Sequence, residues 1–388
     1  MTETLPSPLS PAELRRYSRH LTLAEIGAAG QQRLKAARVV LIGAGGIGSP
    51  AALYLAAAGV GTIGLVDFDA VDESNLQRQV LYDTASVGAP KAEVARARLE
   101  ALNPSISVIA HPIELCAANV QALLERYDLV IDGSDRLGTR YLVNDACVIY
   151  RKPLVSAAIH RFEGQLMSYL PDRGPCYRCL FPNPAEGMVP NCAEVGVLGV
   201  LPGVLGTLAA TEAIKLIVGT GSPLLGRLLA YDALELRFSE FKFQRRPDCA
   251  VCSAHPTIEV PADPPGFVAL AELQAVHAIS AAQLALALAQ PADSTRPALA
   301  LIDVREPHEF ALGHLAGAVN VPLAELDSEL RRGGMSLQQD RTLVFMCRSG
   351  VRSRKAGALA RRAGLTDPLQ LEGGLLAWKA IVDPSLPL

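Results

Sequence analysis

Arg38–Gly43 (RVVLIG) is an apolar run of strand length that ends in glycine, and it predicts a buried strand. Ser49–Ala58 is alanine-rich with no proline after Pro50, which predicts a helix. Gly64–Asp67 (GLVD), Ser107–Ala110, Asp128–Asp132 (DLVID) and Pro153–Ala158 predict further short strands. Lys91–Leu102 has helical spacing and stops at Asn103-Pro104, and Thr207–Val218 predicts a buried helix. Strands alternating with helices imply an α/β fold with a doubly wound, mostly parallel, Rossmann-like sheet. A second, smaller α/β pattern follows: strands at Ala298–Val304 and Thr342–Cys347, a helix start at Arg305–Ala311 and a helix at Val351–Ala363. Between the two patterns, five of the fourteen residues of Ser253–Gly266 are proline or glycine, which predicts an extended linker. The expected organisation is therefore residues 1–252, a linker 253–266, and a second domain 267–388.

Cysteine spacing sharpens this division. Cys176-x-x-Cys179 and Cys249-x-x-Cys252 are two knuckles separated by 69 residues. Four thiolates in this arrangement suit a closed tetrahedral zinc site, which has no open position for catalysis and is structural. Such a site ties the end of the first domain to its middle. The 388 residues are half apolar and 19% charged, enough for two domains with sizeable cores. A net charge of −3 gives no electrostatic footprint for nucleic acid or an acidic membrane. Met1–Pro11 lacks the charged and apolar segments of a signal peptide. Leu198–Ile217 comes nearest to a membrane span, but Pro202, Thr211, Glu212 and Lys215 interrupt it. The expectation is a reduced, cytoplasmic protein.

Gly43-Ala44-Gly45-Gly46-Ile47-Gly48 follows a strand and opens a helix, a place where backbone can approach phosphates at a helix N-terminus. Asp67 ends the next strand, 19 residues after Gly48, where a carboxylate can accept ribose hydroxyls. Alone, this fingerprint suits NAD or FAD. Downstream, Ser74-Asn75-Leu76-Gln77-Arg78-Gln79 and Lys91 add two cations, which fit a nucleoside triphosphate better. Asp135, beyond the strand at Asp128–Asp132, offers a hard oxygen ligand for Mg²⁺.

RYSRH (Arg16–His20), GAGGIG, VDFD (Val66–Asp69), SNLQRQ, VGAPK (Val87–Lys91), both CxxC pairs and CAEVGVLG (Cys192–Gly199) together resemble the MoeB/ThiF family, bacterial relatives of ubiquitin-activating enzymes. The resemblance implies that ATP adenylates the C-terminal Gly-Gly carboxylate of a ubiquitin-like sulfur-carrier protein. It implies ATP contacts from Gly43, Gly45, Gly46, Gly48, Asp67, Ser74, Asn75, Arg78 and Lys91, with Asp135 at Mg²⁺. It also implies a homodimer in which Arg19 reaches the neighbouring subunit's site. Arg136 stands where the family usually has Asn. Cys192 matches a cysteine that relatives with a second sulfur-transfer domain use for an acyl intermediate.

Cys347-Arg348-Ser349-Gly350-Val351-Arg352 also follows a strand and opens a helix. Inward backbone N–H groups and flanking cations in such a loop favour a thiolate and can hold a bound anion such as a persulfide. Cysteine phosphatases need Cys-x₅-Arg, and this interval is one residue shorter. With Asp303–Phe310 (DVREPHEF), Gly313–Ala318 (GHLAGA) and Glu372-Gly373-Gly374…Trp378, the loop resembles a rhodanese sulfurtransferase. Adenylation and sulfur delivery on one chain imply a thiocarboxylate product, with a persulfide donor such as a cysteine desulfurase upstream. Molybdopterin biosynthesis is the expected pathway; thiamine, cysteine and tRNA thiolation use the same chemistry. A carrier-binding module without turnover is the alternative of another class.

Overall fold

The computed structural model describes residues 8–182, 196–263, 267–268, 270–290, 298–332 and 341–388. Contacts divide the chain into two units, Met1–Pro264 and Pro265–Leu388.

The first unit is built on one eight-stranded sheet: β1 (Arg38–Ile42), β2 (Thr62–Val66), β3 (Ser107–His111), β4 (Leu129–Asp132), β5 (Leu154–His160), β6 (Glu163–Tyr169), β7 (Arg227–Asp232) and β8 (Arg237–Lys242). Their order is β3-β2-β1-β4-β5-β6-β7-β8. The first five in this order run parallel, and β6, β7 and β8 extend the sheet antiparallel. The expected strands are present within one or two residues of their bounds. Because β1 has β2 on one side and β4 on the other, the strand order reverses there. A crevice opens at the carboxyl ends of β1 and β4, the place where doubly wound sheets bind ligands.

Helix Val200–Val218 begins seven residues before the expected start at Thr207, because Pro202 sits in its first turn, where a missing N–H does no harm. By length and hydropathy this helix could cross a membrane. Here it lies against helix Gly48–Ala58 and strands β5 and β6, burying Leu201, Leu205, Ala209 and Ala213. Gly206 permits that approach: a Cβ there would meet the Ile47 carbonyl oxygen at 2.4 Å. The buried Glu212 accepts from Ser168 Oγ (2.9 Å) and from the Leu224 N–H (2.8 Å), pinning β6 and the turn before β7 to the helix.

Much of the segment expected as an extended linker is packed on the first unit. The N–H groups of Thr257 and Ile258 donate to the Ala250 carbonyl (2.9 and 2.8 Å). The Asp263 carboxylate accepts from the Ala117 N–H (2.7 Å) at the start of helix Ala117–Leu124. Proline content had implied an extended chain, but Ile258 is apolar enough to join the core around the second CxxC.

The second unit holds a five-stranded parallel sheet: β9 (His277–Ile279), β10 (Leu299–Asp303), β11 (Val319–Asn320), β12 (Thr342–Met346) and β13 (Leu369–Leu371), in the order β11-β10-β12-β13-β9. The helix expected from Arg305 begins at Pro307 instead. Arg305 is turned inward: its Nε and Nη2 donate to the fully buried Asp303 carboxylate, and Nη2 also donates to the Gly313 carbonyl (2.7 Å). Glu309, on helix Pro307–Leu312, accepts a two-bonded contact from Arg352 on helix Val351–Arg362 (2.6 and 2.7 Å). Hydrogen bonding from Arg352 holds the Glu309 carboxyl down to about 2. A carboxyl whose folded pKa is depressed stabilises the fold above its unfolded pKa and loses that contribution as pH falls towards the folded value. The stability difference between wild type and Glu309→Gln, followed by thermal unfolding, is therefore expected to be full above pH ~4.5 and to fade as pH approaches about 2. A pH-independent difference would show that the pair does not carry it.

Candidate active sites

A cleft of about 270 Å³ opens at the predicted crevice. Its floor is the turn after β1. Gly43 takes a left-handed conformation (φ +90°), and a Cβ on Gly48 would lie 2.0 Å from the Gly43 carbonyl oxygen, so the turn closes only with glycine at these two positions. A Cβ on Gly46 would press on Pro202 at 3.1 Å; Gly45 has more room. Asp67 closes one side: its carboxylate accepts from the N–H groups of Ala44 (2.9 Å) and Asp69 (3.0 Å). Burial pushes this carboxyl above the usual range, against the opposing pull of Lys91. Lys91 Nζ, on a nearly buried side chain, lies 3.3 Å from Asp69 Oδ2.

Arg78 and Lys91 both line the cleft, as does Asp135. Ser74 and Asn75 are not among the lining residues. They form a short 3₁₀ turn capped by Asp72, and Arg78 Nη1 donates to the Ser74 carbonyl (3.0 Å). Arg136 borders the cleft; it pairs with Glu114 (2.7 Å) and lies 4.9 Å over the Phe68 ring, forming a wall. Arg19 is exposed on helix Ser18–Leu21 and does not line the cleft of its own chain.

Three lining or adjacent residues have no role assigned from the sequence. Gln79 is 5% exposed, and its Oε1 has no partner among the described residues. Arg140 lines the cleft one turn beyond Arg136, a spacing that could have flagged it. Asp132 ends β4 fully buried, 3.8 Å from Arg140 Nε, and accepts from Ser134 N–H and Oγ (3.0 and 2.7 Å). Burial raises its carboxyl pKa, with Arg140 opposing.

The four sulfurs of Cys176, Cys179, Cys249 and Cys252 lie within 4.8 Å of one another. Cys176 and Cys249 are 3.7 Å apart, and Cys179 and Cys252 3.3 Å. Zinc–thiolate bonds of ~2.3 Å place tetrahedral sulfurs roughly 3.8 Å apart, so the cluster could hold zinc. The Arg246 N–H donates to Cys179 Sγ (3.4 Å), the kind of contact that supports a thiolate ligand. Cys192 lies outside the described residues. Cys147 is fully buried in helix Leu137–Ile149; burial pushes its thiol up, which leaves it inert. Cys116 precedes helix Ala117–Leu124 as its cap.

In the second unit Cys347 is 1% exposed at the end of β12. Its Sγ accepts from the N–H groups of Gly350 (3.2 Å) and Ser353 (3.4 Å). Gly350 is left-handed (φ +94°), which turns the loop into the helix at Val351. Gly373 and Gly374 press under the loop: a Cβ on Gly374 would meet the Cys347 and Arg348 carbonyl oxygens at 2.4 and 2.6 Å. Arg348 and Ser349 are exposed on the loop, as is Val351 just beyond Gly350. The guanidinium of Arg352, expected to flank the thiol as a cation, is paired with Glu309. Glu309 stood within the quoted DVREPHEF run; its partner lies 43 residues away, beyond the reach of local spacing.

Both units match known families. The ThiF family model matches residues 17–251, and the rhodanese-like domain model matches residues 282–381. The chain is 45% identical to the probable adenylyltransferase/sulfurtransferase MoeZ of Mycobacterium tuberculosis, over 100% of this chain and 99% of that one. It is 41% identical to the adenylyltransferase and sulfurtransferase MOCS3 of Aedes aegypti, over 98% and 90%. The sulfur carrier protein adenylyltransferase of Thermus thermophilus is 53% identical over 63% of this chain and 93% of its own. Among solved structures, Escherichia coli MccB with ATP superposes with a TM-score of 0.55 at 27% identity, over 61% of this chain and 74% of that one. The chain therefore belongs to the ThiF family and is an enzyme that joins an adenylyltransferase domain to a rhodanese-like sulfurtransferase domain.

Proposed function

We propose that this enzyme uses ATP to adenylate the C-terminal Gly-Gly carboxylate of a ubiquitin-like sulfur-carrier protein, and then converts it to a thiocarboxylate with sulfur carried on Cys347. The observation that carries the reading is the pairing of a cation-lined cleft at the β1/β4 crevice with a cysteine cradled by backbone donors on the same chain. Support for the carrier comes from the Thermus relative, a sulfur carrier protein adenylyltransferase.

ATP would lie along the Gly43–Gly48 turn with its ribose towards Asp67. Asp67 already accepts two N–H groups; a carboxylate has further lone pairs for ribose hydroxyls. A carboxylate is a weak nucleophile, and holding it against the α-phosphorus gains effective concentration. Its oxygen bonds to phosphorus as the bond to pyrophosphate breaks, and Arg78 and Lys91 spread the charge on the departing phosphates. Asp135 is the residue that would hold Mg²⁺, which supplies further charge neutralisation on phosphate oxygens. Arg19, exposed and away from its own cleft, would complete the site of a second copy in a homodimer. Arg136 walls the cleft without crossing it, which favours catalysis over a carrier-binding module.

The terminal sulfur of a Cys347 persulfide would then attack the acyl carbon, with AMP leaving. A second thiol would attack the Cys347 sulfur, forming a disulfide and freeing the thiocarboxylate; Cys192 is the candidate for a covalent role. A persulfide donor such as a cysteine desulfurase would reload Cys347. A cytoplasmic setting fits the seven free cysteines described. A molybdopterin-pathway carrier is the preferred partner, on the strength of the rhodanese fusion and the four-cysteine cluster together.

Carrier-dependent ATP–pyrophosphate exchange tests the first step. Arg78→Ala or Lys91→Ala is expected to slow it by roughly 10²-fold, the loss typical of one charge-stabilising contact. Unchanged exchange in both variants would remove the assignment. The cysteine cluster is expected to hold one zinc per chain by metal analysis, and stripping it or making Cys176→Ala should lower Tm by roughly 5 °C or more. A zinc-free protein with undiminished Tm would leave the cluster without a metal role.

A further inference from the structure

Ser353 is fully buried, yet it is a polar residue set against the reactive sulfur. It lies just past the six-residue loop, inside the first turn of helix Val351–Arg362. Its Oγ is 3.6 Å from Cys347 Sγ, and its own N–H already donates to that sulfur at 3.4 Å. Two other acceptors stand within reach of the same hydroxyl: the Gly350 carbonyl at 3.1 Å and Gln370 Oε1 at 3.5 Å. Gln370, on β13, is itself 1% exposed. A hydroxyl has one hydrogen and a free rotor, so which acceptor it serves depends on where negative charge sits.

With a neutral thiol, the S–H can donate to Ser353 Oγ, and the hydroxyl hydrogen turns to the Gly350 carbonyl. With a thiolate, the S–H is gone, and the same hydrogen gains most by turning to the sulfur, because hydrogen bonds to charged acceptors are the stronger ones. Burial of both residues excludes water from this role, so no solvent donor replaces the hydroxyl.

We infer that Ser353 is a further catalytic residue of sulfur transfer, its hydroxyl serving as the third donor to Cys347 Sγ and stabilising the charge that returns to that sulfur when the outer sulfur departs. The inference rests on the reading of Cys347 as the persulfide carrier. In discharge to a small acceptor such as cyanide, carbon attacks the outer sulfur, the S–S bond breaks, thiocyanate forms, and Cys347 Sγ keeps the electron pair. Charge thus grows on the atom that Ser353 faces. In loading from glutathione persulfide, the Cys347 thiolate attacks the outer sulfur and glutathione thiolate leaves. Charge then drains from Cys347 Sγ, so the third donor does not assist that half-reaction.

This asymmetry separates catalysis from packing. Full-length Ser353→Ala is loaded with glutathione persulfide at alkaline pH and discharged with cyanide, each half followed singly in rapid mixing. The expected result is discharge slowed about tenfold or more, the loss of one hydrogen bond to a charged group. Loading should be unslowed, and Tm close to wild type. Discharge at the wild-type rate, or equal slowing of both halves, would overturn the inference, the second marking a structural role. Mass spectrometry of the loaded wild type separates the underlying reading: sulfur mapped to a cysteine other than Cys347 would remove that reading itself.

Discussion

The turn after β1 leaves no room for side chains, and the adenylation half depends on that constraint. The Gly43 carbonyl oxygen occupies the place where a Cβ of Gly48 would be. Only this closeness lets helix Gly48–Ala58 start at the strand end, with Gly45, Gly46 and Ile47 of the turn lining the cleft. The same turn sets the Ala44 N–H against Asp67, and it presses Gly46 against Pro202 of the long core helix. Gly206 of that helix in turn packs on Ile47. The cleft and the core are thus one packing problem. Enlarging either side displaces the other, because close-packed interiors transmit strain.

The sulfur site solves a related problem with the same elements in another arrangement. Again a parallel strand ends, a left-handed glycine turns the chain, and a helix begins with its N–H groups pointing inward. Here the ligand is covalent: the sulfur of Cys347 takes two backbone donors directly. The loop is held from below by Gly373 and Gly374, where a Cβ on Gly374 would strike loop carbonyls. Charge is handled differently in the two sites. The cleft keeps Arg78 and Lys91 on its lining. The loop matches Arg352 with Glu309 and leaves the sulfur to dipoles and a hydroxyl.

Much of this was legible because it is local. A strand, six residues of glycine-rich turn and a helix can be read in order, and so can Cys-x-x-Cys. The parallel strands were legible because RVVLI and LVID are buried on both faces and read as unbroken apolar runs. Strands β6 to β8 were not, since β8 is exposed almost throughout and shows no clear alternation. The linker misled because proline reports local stiffness, while the Asp263 bond to Ala117 spans 146 residues. Site residues were missed for the same reason. Glu309 meets Arg352, and Asp132 meets Arg140, only after strands and helices are assembled. Ser74 and Asn75, expected at the nucleotide, form a 3₁₀ turn in which the Ser74 carbonyl accepts from Arg78 Nη1.

The central claim is that one chain activates a carrier's carboxylate and then replaces one of its oxygens with sulfur. The direct measurement is intact mass spectrometry of a Gly-Gly-terminated carrier incubated with the full-length enzyme, ATP, Mg²⁺, a persulfide donor and a thiol reductant. The account predicts a mass gain equal to the exchange of one oxygen for one sulfur, dependent on ATP and lost in Cys347→Ala, which still adenylates the carrier. A carrier that is adenylated but never gains sulfur, or that gains it without ATP, would contradict the account.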